Sequence, residues 1–338
     1  MKRTILTRSG REKRKKKAKK ITSDWEKTII NTSPHKTLVV VVGPTAVGKT
    51  TTAIFLAQHF GTAIISADSR QFYREMSIGT AKPDEAELAA APHYFIDSLS
   101  IKEEYSAGDF ERDALALLDT LFQRHDIVIM VGGSGLFVRA VCEGLDELPK
   151  APQEVRERLN AELAMYGLQS LQEKLQQVDP VYYATADIDN PQRVIRALEV
   201  YEATGKPMSA YQQRNSIRRP FDVVTIGLHM DREQLYERIN ARVDQMIEKG
   251  LFEEVQSLLP YRHKPALLTV GYAEIFDYLE GKIAKEEAIA KIKQNSRRYA
   301  KRQMTWFRKY GGTTWFDPTD EEGICQFIEE TIPKNKRV

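Results

Sequence analysis

The segment that most constrains this chain is LVVVVGPTAVGKTTT, residues 38–52. Four successive β-branched residues, Val39 to Val42, read as a buried strand, and the G-x-x-x-x-G-K-T spacing from Gly43 to Thr50 is a P-loop signature. Glycines let the backbone turn tightly, so that the loop N–H groups and the start of the next helix converge on a phosphate. Lys49 adds a mobile cation and Thr50 a hydroxyl suited to Mg²⁺. Gly43, Pro44, Thr45, Ala46, Val47, Gly48, Lys49 and Thr50 are therefore assigned to a diphosphate or polyphosphate. The motif leaves open which molecule carries it.

A chain of 338 residues is long enough for two packed units. No apolar run approaches the roughly 20 residues that span a bilayer, and the opening residues lack the apolar core of a secretory signal. A cytoplasmic location with no membrane partner is expected. Cys142 and Cys325 are isolated and lack metal-ligand spacing, so neither a disulfide framework nor a zinc site is expected. The net charge of +3 is misleading, because the first twenty residues carry a surplus of +10 and leave the remainder at −7. Such a basic tail, here 1–34 with its linker, is expected to be disordered. Contact with RNA through counterion release and a merely solubilising extension are the two readings of it.

After the P-loop strand and its helix, TAIISADS reads as a second strand ending in Asp68 and Ser69. Strand, helix and strand within about 30 residues make a βαβ unit, hence a parallel sheet with binding groups at the carboxyl ends of its strands. Asp68 is thereby set beside the P-loop, with helix capping as its alternative role. RQFYREMSIGTAKPDEAE is broken into a loop by Gly79 and Pro83, and PHYFIDSLS reads as a third strand. Phe110, Ala114, Leu117, Leu118 and Leu121 have helical spacing, and DIVIMVGGSG follows as a central strand. At its end Ser134 suits a ligand contact or an N-cap equally.

From 149 to 219 helical segments dominate, namely QEVRERLNAELAMYG, LQSLQEKLQQ and DNPQRVIRALEVYEATG. Arg193 and Arg196 share a face of the third, which suits phosphate contact or simple solvation. The sheet resumes at FDVVTIGLHM. A helix then runs from an Asp231 cap to a Gly250 stop, with Leu235, Ile239, Val243, Met246 and Ile247 as its apolar stripe. Arg238 and Arg242 stand on its turns, where one of them can reach the phosphate site. The last helix interleaves Arg297, Arg298, Lys301, Arg302, Arg308 and Lys309 with Tyr299, Trp306, Phe307 and Tyr310, a composition suited to RNA; packing against the core is the competing account, above all for Trp306. The expected fold is α/β: a P-loop NTPase-like parallel sheet flanked by helices, with an inserted helical domain and C-terminal helices. The core is assigned to 35–148 and 220–318, and the helical insertion to 149–219.

GPTAVGKT, ISADSRQFYREMSIGTAKP, YSAGDF, GGSGLF, NPQRVIRALEVYEATGKP, LYERINARVDQMIEKGL, TVGYAE and YAKRQMTWFRKY, in this order, closely resemble the tRNA dimethylallyltransferases, or tRNA isopentenyltransferases. The match runs from about Leu38 to Phe316. Its most specific part is DSRQFYREMSIGTAKP, which P-loop chemistry in general does not demand. The resemblance implies transfer of a dimethylallyl group from dimethylallyl diphosphate to N6 of adenosine 37 in tRNAs reading codons that start with U. The P-loop would then hold the departing diphosphate. An exocyclic amine is a weak nucleophile, so such a site must stabilise the leaving group and accept a proton. By the resemblance Lys49, Arg242 and Mg²⁺ on Thr50 do the first and Asp68 the second. It also implies contacts with the tRNA anticodon stem-loop from Asp68, Ser69, Arg70, Gln71, Ser134, Arg156, Gln192, Arg193, Val194, Ile195 and Arg196.

The chain departs from the family pattern at Ser134 and Phe137, where GGTGLY is usual, and at Ala273, where a basic residue often follows Tyr272. No zinc finger follows the last helix, as in the compact bacterial form, and a monomer is expected. Three rivals remain. A small-molecule P-loop kinase would carry a lid with paired arginines and run nearer about 200 residues. An adenylate isopentenyltransferase would share the chemistry but need neither the helical insertion nor the basic helix. A non-catalytic RNA-binding module would leave the intact P-loop unexplained.

Overall fold

The computed structural model describes residues 35–146, 148–212, 217–309 and 312–332. The basic segment 1–34 and Tyr310 lie outside the described residues. In chain order the elements are β1 (Thr37–Val42), α1 (Lys49–His59), β2 (Ile64–Ser66), α2 (Glu85–Ala90), β3 (His93–Tyr94), α3 (Ala107–Leu121), β4 (Ile127–Val131), α4 (Gly135–Glu143), α5 (Gln153–Val178), α6 (Pro180–Thr185), α7 (Pro191–Thr204), β5 (Asp222–Leu228), α8 (Arg232–Glu248), α9 (Leu251–Ser257), α10 (Ala273–Leu279), α11 (Lys285–Lys309), β6 (Thr313–Phe316) and α12 (Glu321–Thr331).

The six strands form one parallel sheet in the order β3-β2-β4-β1-β5-β6. All six residues of β1 are buried, with Val39 opposite Ile129 of β4 on one side and Val224 of β5 on the other. A parallel strand covered on both faces cannot alternate apolar with polar residues, which is why VVVV and IVIMV are continuous apolar runs. The crossover through α1 skips one place, because β4 lies between β1 and β2. The P-loop and Asp68 thus leave from strands on either side of β4, at the carboxyl edge where a parallel sheet opens a crevice.

By internal contacts the described residues divide into two compact units, one within 35–105, 113–138 and 220–332, the other within 106–112 and 139–219. The helical unit is therefore larger than the expected 149–219. Arg219, nearly buried, explains the difference: it pairs with Glu111 at 2.6 Å and donates through Nε to the Val141 carbonyl at 2.8 Å. Within this unit α5 breaks at Gly167 (φ 79), so the two helices read in the sequence fold back as a hairpin, joined by Lys174 and Ser170 on Glu162. The sequence reading missed α6. Its buried cap, Asp179, also accepts from the Ser209 amide and hydroxyl at 2.8 and 2.7 Å. Asn190 caps α7 by accepting from Gln192 N–H, as the motif requires.

In the sheet unit the core runs past residue 318. Strand β6 pairs with β5, and α12, capped by Asp320, buries Ile324, Cys325 and Ile328 against Val39, Leu56 and Ile226. The third strand is only two residues long, and the loop after Asp68 ends in α2, closed by a reciprocal Asp84 and Glu87 capping box. No helix among the described residues is long and apolar enough to cross a membrane.

Candidate active site

The P-loop is shaped from behind and open in front. Gly43 has φ 147, and a Cβ there would stand 2.7 Å from the Leu228 carbonyl oxygen, so only glycine allows this close approach. Val47 is fully buried in the core and pins the loop, and Gly43 and Pro44 are buried too. These three set the shape of the loop. Thr45, Ala46, Gly48, Lys49 and Thr50 face a cavity of about 750 Å³. Lys49 Nζ donates to the Pro44 carbonyl at 2.7 Å. Desolvation, then the charge of Arg242, lowers the Lys49 pKa to about 8 against the opposing pull of Asp68. An ammonium so placed is short of negative charge, which a phosphate supplies.

Asp68, just beyond β2, lines this cavity and an adjoining one of about 200 Å³. Its Oδ1 accepts from Arg70 N–H at 3.0 Å, which fixes the carboxylate. Arg242, from α8, also lines both cavities; burial lowers its pKa while Asp68 and Glu87 oppose that shift. The smaller cavity is walled by Ile239, Val243, Met246, Val270 and Ile292, an apolar annex beside the carboxylate. The structure thus brings Lys49, Thr50, Asp68 and Arg242 around one space.

Other assigned residues are engaged within the protein. Ser134 Oγ accepts from Ser69 N–H and lies 3.1 Å from Ser69 Oγ. Burial, then the Asp68 charge, push the pKa of Tyr299 up to about 12, with Arg70, Arg302 and Ser134 opposing the shift. Gln71 accepts from Ser66 Oγ and donates to the carbonyls of Thr80 and Ala81, holding the SIGTAKP loop against the cavity. Gln303 on α11 lies within the YAKRQMTWFRKY run. It is 5% exposed, accepts from Thr45 N–H at 2.8 Å and donates to Gly133 O at 3.0 Å. Glutamine in a basic stretch gives no warning of this; only the tertiary approach of α11 to the P-loop reveals it.

The SIGTAKP loop is held from its other side by Glu254, whose carboxylate accepts from Ser77, Ile78 and Gly79 N–H and from Tyr272 Oη at 2.6–3.0 Å. A Cβ at Gly79 would lie 2.5 Å from the Tyr272 ring, and Tyr272 is fully buried. Gly79→Ala is expected to destabilise the protein by about 1–3 kcal/mol, the usual range for overpacking. A lowered urea midpoint at unchanged slope checks this.

In the helical unit the expected tRNA set divides. Val194 and Ile195 are fully buried, packed with Leu159, Leu171 and Leu175, so their side chains belong to the core and not to a contact surface. The apolar stripe of α7 dictates this: only Gln192 and Arg193 of the five are exposed. Arg156 and Arg196 converge on Glu199, at 2.8 and 3.3 Å, and Arg196 also donates to the Pro149 carbonyl. Glu199 is 2% exposed, and a buried carboxylate needs such partners. On α11 it is Phe307 that is buried, whereas Trp306 is half-buried against Gly135. Arg298, Lys301, Arg302, Arg308 and Lys309 are exposed, Arg302 lying over the Tyr299 ring.

A parallel sheet with a P-loop, a carboxylate and an arginine at its carboxyl edge, and an apolar annex alongside defines a P-loop protein equipped for group transfer from an anionic leaving group. Residues 71–310 match the family model described as IPP transferase, and the chain belongs to that family. It is 51% identical over 298 residues to the tRNA dimethylallyltransferase of Cytophaga hutchinsonii, a match covering 88% of this chain and 98% of that protein. Among solved structures it is similar to the full-length tRNA isopentenylpyrophosphate transferase of Bacillus halodurans, at 41% identity and TM-score 0.66, covering 88% and 97%. It is also similar to a eukaryotic dimethylallyltransferase described as acting on tRNA, at 25% identity and TM-score 0.71, covering 89% and 81%.

Proposed function

We propose that this chain transfers the dimethylallyl group of dimethylallyl diphosphate to N6 of adenosine 37 in tRNAs that read codons starting with U. The observation that carries the reading is Asp68 standing where the P-loop cavity and the apolar annex meet, with Arg242 beside it in both. The diphosphate would lie on the P-loop amides with Lys49 and Arg242, and the five-carbon group would fill the annex toward Asp68. Asp68 would accept the N6 proton as the N6–C1 bond forms and the C1–O bond breaks, the electron pair leaving on the diphosphate.

The residues present fit Mg²⁺. Thr50, the second residue of α1, lines the cavity, and Mg²⁺ takes few protein ligands when phosphate oxygens and water complete its shell. Thr50 would hold the ion, whose chemistry there is to neutralise charge on the departing diphosphate. Every group named comes from one chain, so a monomer suffices, acting where tRNA is found in the cytoplasm.

Labelled dimethylallyl diphosphate offered with bulk tRNA, with AMP or with no acceptor tests the reading. Label is expected in tRNA alone. Label in AMP would instead support an adenylate isopentenyltransferase, and none in either would return the site to a phosphotransfer enzyme or a binding module.

A further inference from the structure

Arg238 has no part in the reaction as described above. It stands one turn before Arg242 on α8, is exposed, and lines the larger cavity but not the annex. Its Nη2 comes within 3.9 Å of where a Gly48 Cβ would stand, against the amide end of α1. Arg238 makes no hydrogen bond or ion pair with another described residue, and neither does Arg242. Like charges four apart on a helix repel, and the charge of Arg238 indeed adds to the lowering of the Arg242 pKa. Two guanidiniums that line one phosphate cavity, neither in an ion pair with a described residue, suit an anion that carries more than one phosphate.

We propose that Arg238 binds the terminal phosphate of the prenyl diphosphate and of the diphosphate released from it, while Arg242 binds the phosphate attached to the prenyl carbon. This rests on the prenyl-transfer reading. The division of labour follows from position. Arg242 borders the annex and Asp68, where the reacting carbon must lie, so the phosphate next to that carbon falls to Arg242. Arg238 borders only the outer part of the cavity by Gly48, where the second phosphate extends toward the helix N-terminus. Arg238 thereby makes the site selective for a diphosphate over a monophosphate.

The test is calorimetric titration of the full chain, in Mg²⁺ buffer, with dimethylallyl diphosphate, inorganic diphosphate and dimethylallyl monophosphate. Arg238→Ala is expected to weaken both diphosphates by about 10–100-fold, the loss typical of a charge-assisted hydrogen bond, and to change monophosphate binding by under about threefold. Arg238→Lys, which keeps the charge but not the fork, is expected to fall between wild type and Arg238→Ala. An equal loss for all three ligands would overturn the assignment in favour of general electrostatics, and so would no loss for any. If wild type binds diphosphate with this pattern but prenylates no tRNA, the prenyl-transfer reading fails while the phosphate assignment stands.

Discussion

Asp68→Asn is expected to slow single-turnover prenyl transfer by about 10²–10⁴-fold, the usual range for loss of a general base, with little change in tRNA affinity. The substitution isolates the proton-accepting function, because Asn offers an oxygen to Arg70 N–H at the same place as the Asp68 Oδ1 now does. The turn after β2 is therefore kept, and with it the Ser69 and Ser134 contact that ties this turn to the β4 end. What is lost is a negative charge facing Lys49, Arg242 and the incoming amine. The measurement pairs a rapid-quench assay at saturating tRNA and dimethylallyl diphosphate with tRNA binding on the same variant. A near-normal rate would remove Asp68 from catalysis. A rate loss matched by lost affinity would make it a tRNA-positioning contact.

The P-loop and its strand were legible because both depend on local chemistry: a run of β-branched valines reads as a buried strand, and the glycine spacing shapes its own loop. Asp68 was legible by topology, since a carboxylate ending a strand of a βαβ unit falls at the ligand edge even though β4 intervenes. In the second unit α7 announced its Asn190 cap, whereas α6 went unread. What escaped was decided by distant contacts. Strand β6 is four half-buried residues with no alternation, made a strand only by pairing with β5. Helix α12 carries Gly323 in its first turn and four Glu residues, and its apolar side finds a core built from distant strands and helices, Val39, Leu56 and Ile226 among them. Val194 and Ile195 entered the tRNA set through the family motif and not through their own pattern, which places them in the α7 core stripe. Gln303 and Glu254 were invisible for a related reason, because a polar residue that braces a loop from behind has the same sequence appearance as one in solvent.

Lys49→Ala is expected to lower transfer by about 10²–10³-fold or more, as removal of a charge stabiliser of the leaving group does, and to weaken dimethylallyl diphosphate binding while tRNA binding persists. The separation follows from where the ammonium sits. It donates to the Pro44 carbonyl inside the cavity, and no part of its role reaches the exposed cations of α11. Removing it should not collapse the loop either, since Val47 remains anchored in the core and Gln303 still accepts from Thr45 N–H. A collapsed loop would show as a lowered urea midpoint, so equal midpoints for wild type and variant establish that the charge alone has been removed. Titration of both forms with dimethylallyl diphosphate and, separately, with tRNA then decides the point. Loss of the diphosphate signal alone is the expected result. Equal loss of both ligands would mean that tRNA engages the P-loop directly, and the leaving-group role assigned to Lys49 would then have to be shared with RNA binding.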